Sequence, residues 1–289
     1  MNKLNNIINS QRLPFLSWII LPLIIVWLSV NYLIGIIQQA DWEKTPPEES
    51  QVLAAQSSIS PQSDKFDDIN WQGEGLVTLW FDDAWLDQYS EALPLLEEYQ
   101  YVGALAVPTK LLGYEAYMTW AQVKRIHFKG WEVTAHSRTH NCDVNSLTPE
   151  NIQDEVYGSL VDLQAQNLYP DHYVTACGAE NTEIRETVKK HFLSLRTTED
   201  GLNPLPVKDP YNLKVKEINP KVTQAMIKTW IQEASVTKSW LILMFHQVDT
   251  NHHDLGVTPQ NLKLILQQIK DSKLKVVVPS QALEVNLKP

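Results

Sequence analysis

From Gly75 onward the chain repeats one pattern: a short apolar run, then an amphipathic stretch, then another apolar run. LVTLW (76–80), GALAV (103–107) and WEVTA (131–135) read as buried strands, and further strands are predicted at 173–177, 193–197, 241–245 and 274–278. Helical spacing recurs between them. Leu93, Leu96 and Tyr99 form one stripe, and Trp120, Val123 and Ile126 form another that ends at Gly130. Thr148-Pro149-Glu150 is a helix start, with a capping hydroxyl followed by proline at the first helical position. Helices are also predicted at 182–191, 221–234 and 258–271. Strand-then-helix order sustained over this length demands a parallel sheet. The length suits a closed (β/α) barrel better than a small open sheet, and in such barrels chemistry gathers at the C-terminal ends of the strands.

The region before Gly75 divides in two. No charged residue occurs from Leu13 to Ala40. A helix of that length spans a hydrocarbon core of roughly 30 Å, and Pro22 and Asn31 do not forbid it. Lys3 and Arg12 precede the run, and Asp41, Glu43, Glu48 and Glu49 follow it. This charge asymmetry predicts a cytoplasmic N-terminus and an exported remainder. The alternative, a cleaved signal peptide and a secreted product, fits less well: the run is long and Gln38 spoils a small-x-small site ending at Ala40. Residues 41–72 are rich in Pro, Ser, Gln and acids and read as a flexible linker. The expected organisation is therefore a stub and lipid-embedded anchor at 1–40, a linker at 41–72 and one α/β domain at 73–289.

Charge narrows the partners. The net charge of -10 and pI near 5.3, without a basic cluster, argue against nucleic acid. Any membrane attachment must then be hydrophobic.

The polar residues that directly follow the apolar runs are informative. Asp82 and Asp83 follow the first strand, His136 and His140 the third, and His246 the one at 241–245. Singly, each has an ordinary reading as a turn acid or loop histidine. Together they place two carboxylates and three imidazoles at one rim. That set suits a mononuclear metal hydrolase. Two neutral imidazoles and a carboxylate suit Zn²⁺ with positions left open, a second carboxylate can take a proton from water, and a third histidine can protonate a leaving amine. A His-His-Asp site also accepts other divalent ions such as Co²⁺ or Mn²⁺.

These residues resemble the polysaccharide deacetylases, the NodB-homology domain of carbohydrate esterase family 4, over roughly 75–285. The first family motif is similar to Thr78-Leu79-Trp80-Phe81-Asp82-Asp83-Ala84, the second to His136-Ser137-Arg138-Thr139-His140, and the last to Leu243-Met244-Phe245-His246. The resemblance implies a distorted (β/α) barrel with fewer than eight strands, about seven here. It implies Asp82 as general base, Asp83, His136 and His140 as metal ligands, and His246 as general acid. The implied substrate is an N-acetylated polysaccharide or oligosaccharide.

Two departures stand out. Ala84 replaces the usual glycine, and Ala does not readily accept a strained positive φ. The third family motif carries an arginine and a proline that Tyr173-Val174-Thr175-Ala176-Cys177-Gly178 lacks. The backbone amide of Cys177 can still serve as an oxyanion donor. Arg196, at the end of the next strand, is the candidate to supply the missing charge to Asp82, and Asp200 is a candidate to orient His246. The only two cysteines, Cys142 and Cys177, both fall at the rim, where an exported chain can join them in a disulfide. Three other functions compete. O-deacetylation would use the same residues, which do not separate it from N-deacetylation. A carbohydrate-binding protein with a degraded site is favoured by Ala84 and the lost arginine. A paired-carboxylate glycosidase leaves the histidines unexplained.

Overall fold

The computed structural model describes residues 71–250 and 254–284. The expected anchor at 1–40 and all but the last two residues of the expected linker lie outside the described residues. Among the described residues, no helix is long and apolar enough to cross a membrane.

The strands in chain order are β1 (Leu76–Phe81), β2 (Ala104–Val107), β3 (Glu132–Ala135), β4 (His172–Val174), β5 (Ser194–Asp200), β6 (Asn203–Pro204), β7 (Leu213–Glu217), β8 (Ser239–Phe245) and β9 (Lys275–Val276). The α-helices are α1 (Leu93–Glu98), α2 (Trp120–Phe128), α3 (Pro149–Gln164), α4 (Thr182–His191), α5 (Gln224–Thr237), α6 (Pro259–Asp271) and α7 (Pro279–Glu284). Threonine side chains cap α2, α3, α5 and α6 and Asn181 caps α4, each accepting from a backbone N–H of the first turn. The first helical stretch begins as a π-turn at Gln88–Ala92 and becomes α-helical only at Leu93, beside Pro94, which has no N–H to donate.

Seven parallel strands close a barrel in the order β1-β2-β3-β4-β5-β7-β8, and β8 returns to β1 along its whole length, Leu76 opposite Trp240 through Phe81 opposite Phe245. The barrel is distorted by two wedges. On the other edge of β1, β9 pairs with Leu76 and Val77 while β2 pairs with Trp80 and Phe81. On the other edge of β8, antiparallel β6 pairs with Ser239 and Trp240 while β7 pairs with Leu243 and Met244. Each wedge fills the N-terminal half of a strand whose C-terminal half faces a different neighbour.

Three sequence expectations change. The stretch 274–278 contributes only the two-residue wedge β9, not a barrel strand. The seventh barrel strand is β7, LKVKE, which carries only two apolar residues between lysines. Leu213 and Val215 face the barrel interior, and Lys216 reaches Asp200 and lies over the Trp230 ring. The expected strand at 173–177 ends at Val174 and gives way to a 3₁₀ turn at Ala176–Gly178.

Side-chain alternation sorts the core into two layers. Leu76, Trp80, Ala104, Ala106, Val174, Leu213, Trp240, Ile242 and Met244 form the barrel interior. Val77, Leu79, Leu105, Val133, Leu195, Leu241 and Leu243 face outward onto the helices. The interior also holds a polar layer at its N-terminal end, under α7. Glu132 is 4% exposed and lies 3.1 Å from His172 Nε2. It accepts from Ser280 Oγ at 2.7 Å and from Ser280 N at 2.9 Å, while His172 Nδ1 meets Ser194 Oγ at 2.9 Å. An acid inside an apolar strand is tolerated because every one of these groups has a partner. Removing one partner strands the others away from water. Glu132→Ala is therefore expected to lower the unfolding free energy by about 2–4 kcal/mol, read as a fall in the urea midpoint at unchanged slope.

Candidate active site

The inward alternation of the strands runs on into the rim. In β1 it passes through Leu76, Thr78 and Trp80 to Asp82; in β3 through Glu132 and Thr134 to His136; in β5 through Ser194 to Arg196; in β8 through Trp240, Ile242 and Met244 to His246. The closure of β8 on β1 continues for one more bond, Asp82 N donating to the Phe245 carbonyl at 2.8 Å. Four of the expected site residues thus share one end of the barrel because strand parity and register put them there.

Asp82 and Arg196 form a buried ion pair, Asp82 Oδ1 accepting from Arg196 Nη2, with the carboxylate residue 2% and the arginine 0% exposed. The guanidinium also lies 5.2 Å from the centre of the Trp80 ring, and its Nη1 is 3.1 Å from Met244 Sδ. Its Nε is buried without a hydrogen-bond partner. Arg196 thus supplies a cation beside Asp82, while the segment Tyr173–Gly178 carries none.

Asp83 leaves the strand in the left-handed region, φ 76°, and Ala84 follows at φ 55°. In an extended chain two adjacent acids point to opposite faces; this turn brings the second back to the rim. Ala84 adopts the geometry that favours glycine, at a cost of about 1–2 kcal/mol. The segment 116–118 holds the turn in place. Met118 N donates to the Ala84 carbonyl at 2.8 Å, Leu86 N to the Ala116 carbonyl at 2.9 Å, and the Trp85 and Tyr117 rings stack 4.4 Å apart.

Asp83 Oδ1 faces both imidazoles, 3.2 Å from His136 Nε2 and 3.0 Å from His140 Nε2. Burial pushes the Asp83 carboxyl upward, but the hydrogen bonds and charges of His136 and His140 win and hold it well below the usual carboxylate range. Burial lowers His140, but the hydrogen bond and charge of Asp83, with the charge of Asp82, outweigh it and raise its pKa. His136 Nδ1 donates to the Val174 carbonyl at 3.0 Å, which fixes the tautomer and leaves Nε2 facing Asp83, free to serve as a ligand. His140 is set by a tight loop in which its N–H donates to Ser137 Oγ at 3.0 Å, both residues having positive φ. One carboxylate oxygen and two ring nitrogens, each within 4.8 Å of the others, fit a divalent ion held between them.

Cys142 and Cys177 form a disulfide that ties the loop after β3 to the turn after β4, and Cys177 Sγ lies 3.9 Å from His140 Nδ1. The bond commits both sulfurs, so the cysteines do not add to the donor set. Cys177 sits at the rim with φ 52°, in the turn expected to carry the oxyanion donor.

His246 stands at the rim directly after β8, its Nδ1 buried and without a hydrogen-bond partner. Asp200 does not orient it. That carboxylate accepts from Lys216 Nζ at 2.6 Å, with an aspartate side chain 75% exposed, because β5 has by then run out of the barrel wall into solvent. Two neighbours of the site were not read from sequence. Gln88 is fully buried and donates to the carbonyls of both Asp82 (2.6 Å) and His246 (2.8 Å), tying the two strand ends together. Its signal was a glutamine one turn before Ala92 and two before Leu96 on the buried face. Trp85 Nε1 donates to Asp83 Oδ2 at 3.0 Å, and that tryptophan directly follows the motif.

A parallel barrel with a carboxylate and two imidazoles converging at its C-terminal rim defines the class. Residues 70–194 match the polysaccharide deacetylase family model. The match contains the Asp82-Asp83 and His136–His140 motifs, so the first half of the described barrel is similar to that family. The chain is 30% identical over 86 residues to YxkH of Bacillus subtilis, a relative named for polysaccharide deacetylation; the alignment covers 30% of each chain, so this chain spans less than a third of that relative. A Mycobacterium smegmatis structure described as a polysaccharide deacetylase is 14% identical with a TM-score of 0.57, covering 77% of this chain and 94% of the other. BA3943 of Bacillus anthracis, described as a CE4 family pseudoenzyme, is 16% identical with a TM-score of 0.52, covering 78% and 70%. At such identities the likeness is of fold alone. Arg196 and His246 lie beyond the matched residues.

Removing Arg196 would leave a buried carboxylate unpaired. Arg196→Met is expected to destabilise the protein by about 3–5 kcal/mol, and adding Asp82→Asn to recover part of that loss. Urea unfolding of the two single variants and the double variant measures the coupling; strictly additive losses would show that the pair does not interact.

Proposed function

We propose that this chain is a metal-dependent deacetylase acting on N-acetylglucosamine-type residues of a cell-wall or exported polysaccharide. The observation that carries the reading is the convergence of Asp83, His136 and His140 beside the buried Asp82–Arg196 pair. Asp83, His136 and His140 would hold the ion, with Zn²⁺ the best match to the donor set and Co²⁺ or Mn²⁺ as substitutes. When bound, the ion would polarise the acetyl carbonyl and make water nucleophilic near neutral pH.

The chain's own groups supply the rest. Asp82, oriented through one oxygen by Arg196, takes the proton from water as its oxygen adds to the acetyl carbon. The backbone N–H of Cys177 would donate to the developing oxyanion, from a turn that the disulfide ties to the His140 loop. His246 gives a proton to the amine nitrogen as the C–N bond breaks, releasing acetate and the free amine. The Trp85–Asp83 hydrogen bond keeps the second carboxylate oxygen of that ligand turned away from the imidazoles. Hydrolysis of an O-acetyl ester needs the same residues, and is the second reaction to assay.

A pseudoenzyme shares the fold, so the barrel alone supports no activity. Support comes from the side chains, with Arg196 at Asp82 removing one of the two reasons to read the site as degraded. We propose further that residues 13–40 anchor the chain in a lipid bilayer with the barrel on the extracytoplasmic side. The charge-free run and its flanking charges support this.

Acetate release from N-acetylglucosamine oligomers and peptidoglycan fragments is expected from the purified chain, to be lost with chelator and to return with Zn²⁺ or Co²⁺. Asp82→Asn is expected to lower turnover by roughly 10²–10⁴-fold. No metal-dependent release from either N- or O-acetylated polymers would overturn the proposal in favour of a carbohydrate-binding protein.

A further inference from the structure

Between the two histidines of the second motif lie Ser137, Arg138 and Thr139, and this loop is gripped from outside the barrel by helix α3. One carboxylate does most of it. Glu155 Oε2 accepts from the backbone N–H of Arg138 and from that of Thr139, each at 2.9 Å, and Glu155 Oε1 accepts from Thr139 Oγ1 at 2.5 Å. The Arg138 side chain then lies back along the same helix. Its Nε and Nη2 pair with the two oxygens of Asp162 at 2.8 and 2.9 Å, and its Nη1 with Asp154 at 2.6 Å. Asp162 also accepts from Thr109 Oγ1 at 2.7 Å, in the loop that follows β2.

Gly158 shows that this arrangement is built into the helix. It lies inside a sixteen-residue helix, where glycine costs about 1 kcal/mol relative to alanine. A Cβ there would come within 2.5 Å of Arg138 Cδ. The helix gives up a side chain at the point where the arginine crosses it. A loop held only for general stability does not require its two central amides to converge on one carboxylate. Here those amides sit between His136, fixed on its strand, and His140, whose backbone is left-handed and whose ring is the more exposed of the two.

We infer that Glu155 is a positioning residue for His140: by clamping the Arg138 and Thr139 amides it sets the angle at which the second imidazole meets Asp83 and an ion held there. The inference rests on the metal-site reading proposed above. Outer groups that orient a ligand typically alter metal affinity by about 10- to 100-fold, and a carboxylate gripping two consecutive amides has that leverage over a three-residue loop.

The test uses the full chain and two readouts. Amide hydrogen exchange at Arg138 and Thr139 reads the clamp, and Co²⁺ affinity from its visible absorption reads the consequence. Glu155→Ala removes the acceptor from both amides; Glu155→Gln keeps one oxygen able to accept from them and is the conservative variant, and Glu150→Gln, exposed in the first turn of the same helix, is the control for helix stability. In Glu155→Ala both amides are expected to lose protection and Co²⁺ to bind about 10- to 100-fold more weakly, with acetate release recovering at saturating Co²⁺ and Glu155→Gln restoring most of both losses; the control should stay within about twofold of the parent. Faster exchange with unchanged Co²⁺ affinity would overturn the inference and leave Glu155 a structural residue. Unchanged exchange would overturn the clamp itself. Failure of the parent chain to bind Co²⁺ at all would overturn the metal reading and this inference with it, and intact amide protection in that parent would show that the clamp forms but has no metal ligand to position.

Discussion

The pairing of β8 with β1 is the constraint on which the site depends. Six consecutive residues of each strand are in register, and the pairing extends through the Asp82 N–H into the rim. Closure converts segments more than 150 residues apart into neighbours. It also sets parity, since β-strand side chains alternate and a one-residue slip of either strand would turn its own rim residue, Asp82 or His246, out of the barrel. Gln88 reinforces the register where the strands end, by bonding to both rim carbonyls. The wedges β6 and β9 fill the N-terminal halves of the strands that close the barrel, so the distortion is concentrated away from the rim.

Burial gives the rim its electrostatic character. A carboxylate removed from water carries a penalty of several kcal/mol unless it is paired. Both acids are paired, but differently. Asp82 has a permanent cation, Arg196, locked against Trp80. Asp83 has two imidazoles, groups that can exchange a proton for a metal ion. The same chemical residue at adjacent positions thus receives two distinct environments, one suited to accepting a proton from water and the other to ligation. The left-handed turn at Asp83 and Ala84 makes the separation possible, and the stacked Trp85–Tyr117 pair covers the strained backbone.

Arg196 shows how an ion pair can be kept when its motif is altered. The third-motif segment ends in a 3₁₀ turn with no arginine, and the charge comes instead from the neighbouring strand β5, paired directly to β4. What a buried carboxylate requires is a cation at the right point in space, and a strand two or more places away in the barrel can project one there when its side-chain parity is inward.

The sequence by itself determined the alternation of strands and helices, the parallel barrel, the helix starts at Thr148 and Thr258, and the rim positions of Asp82, Asp83, His136, His140 and His246. These were legible because apolar runs of strand length and capping residues are local signals, and because the residue after a strand must lie at its end. The Arg196–Asp82 contact and the Cys142–Cys177 bond could be anticipated only because each partner also ended a strand or lay just beyond one. Tertiary structure decided the rest. It made LKVKE the seventh barrel strand, since two inward apolar residues suffice once neighbours cover them, and reduced 274–278 to a wedge. It sent Asp200 to Lys216 and away from His246, because β5 outruns the barrel wall. It gave Glu155, Gln88 and Trp85 their roles, which depend on elements meeting in space; a glutamate on a helix or a glutamine in a turn has no local signature of what it will touch.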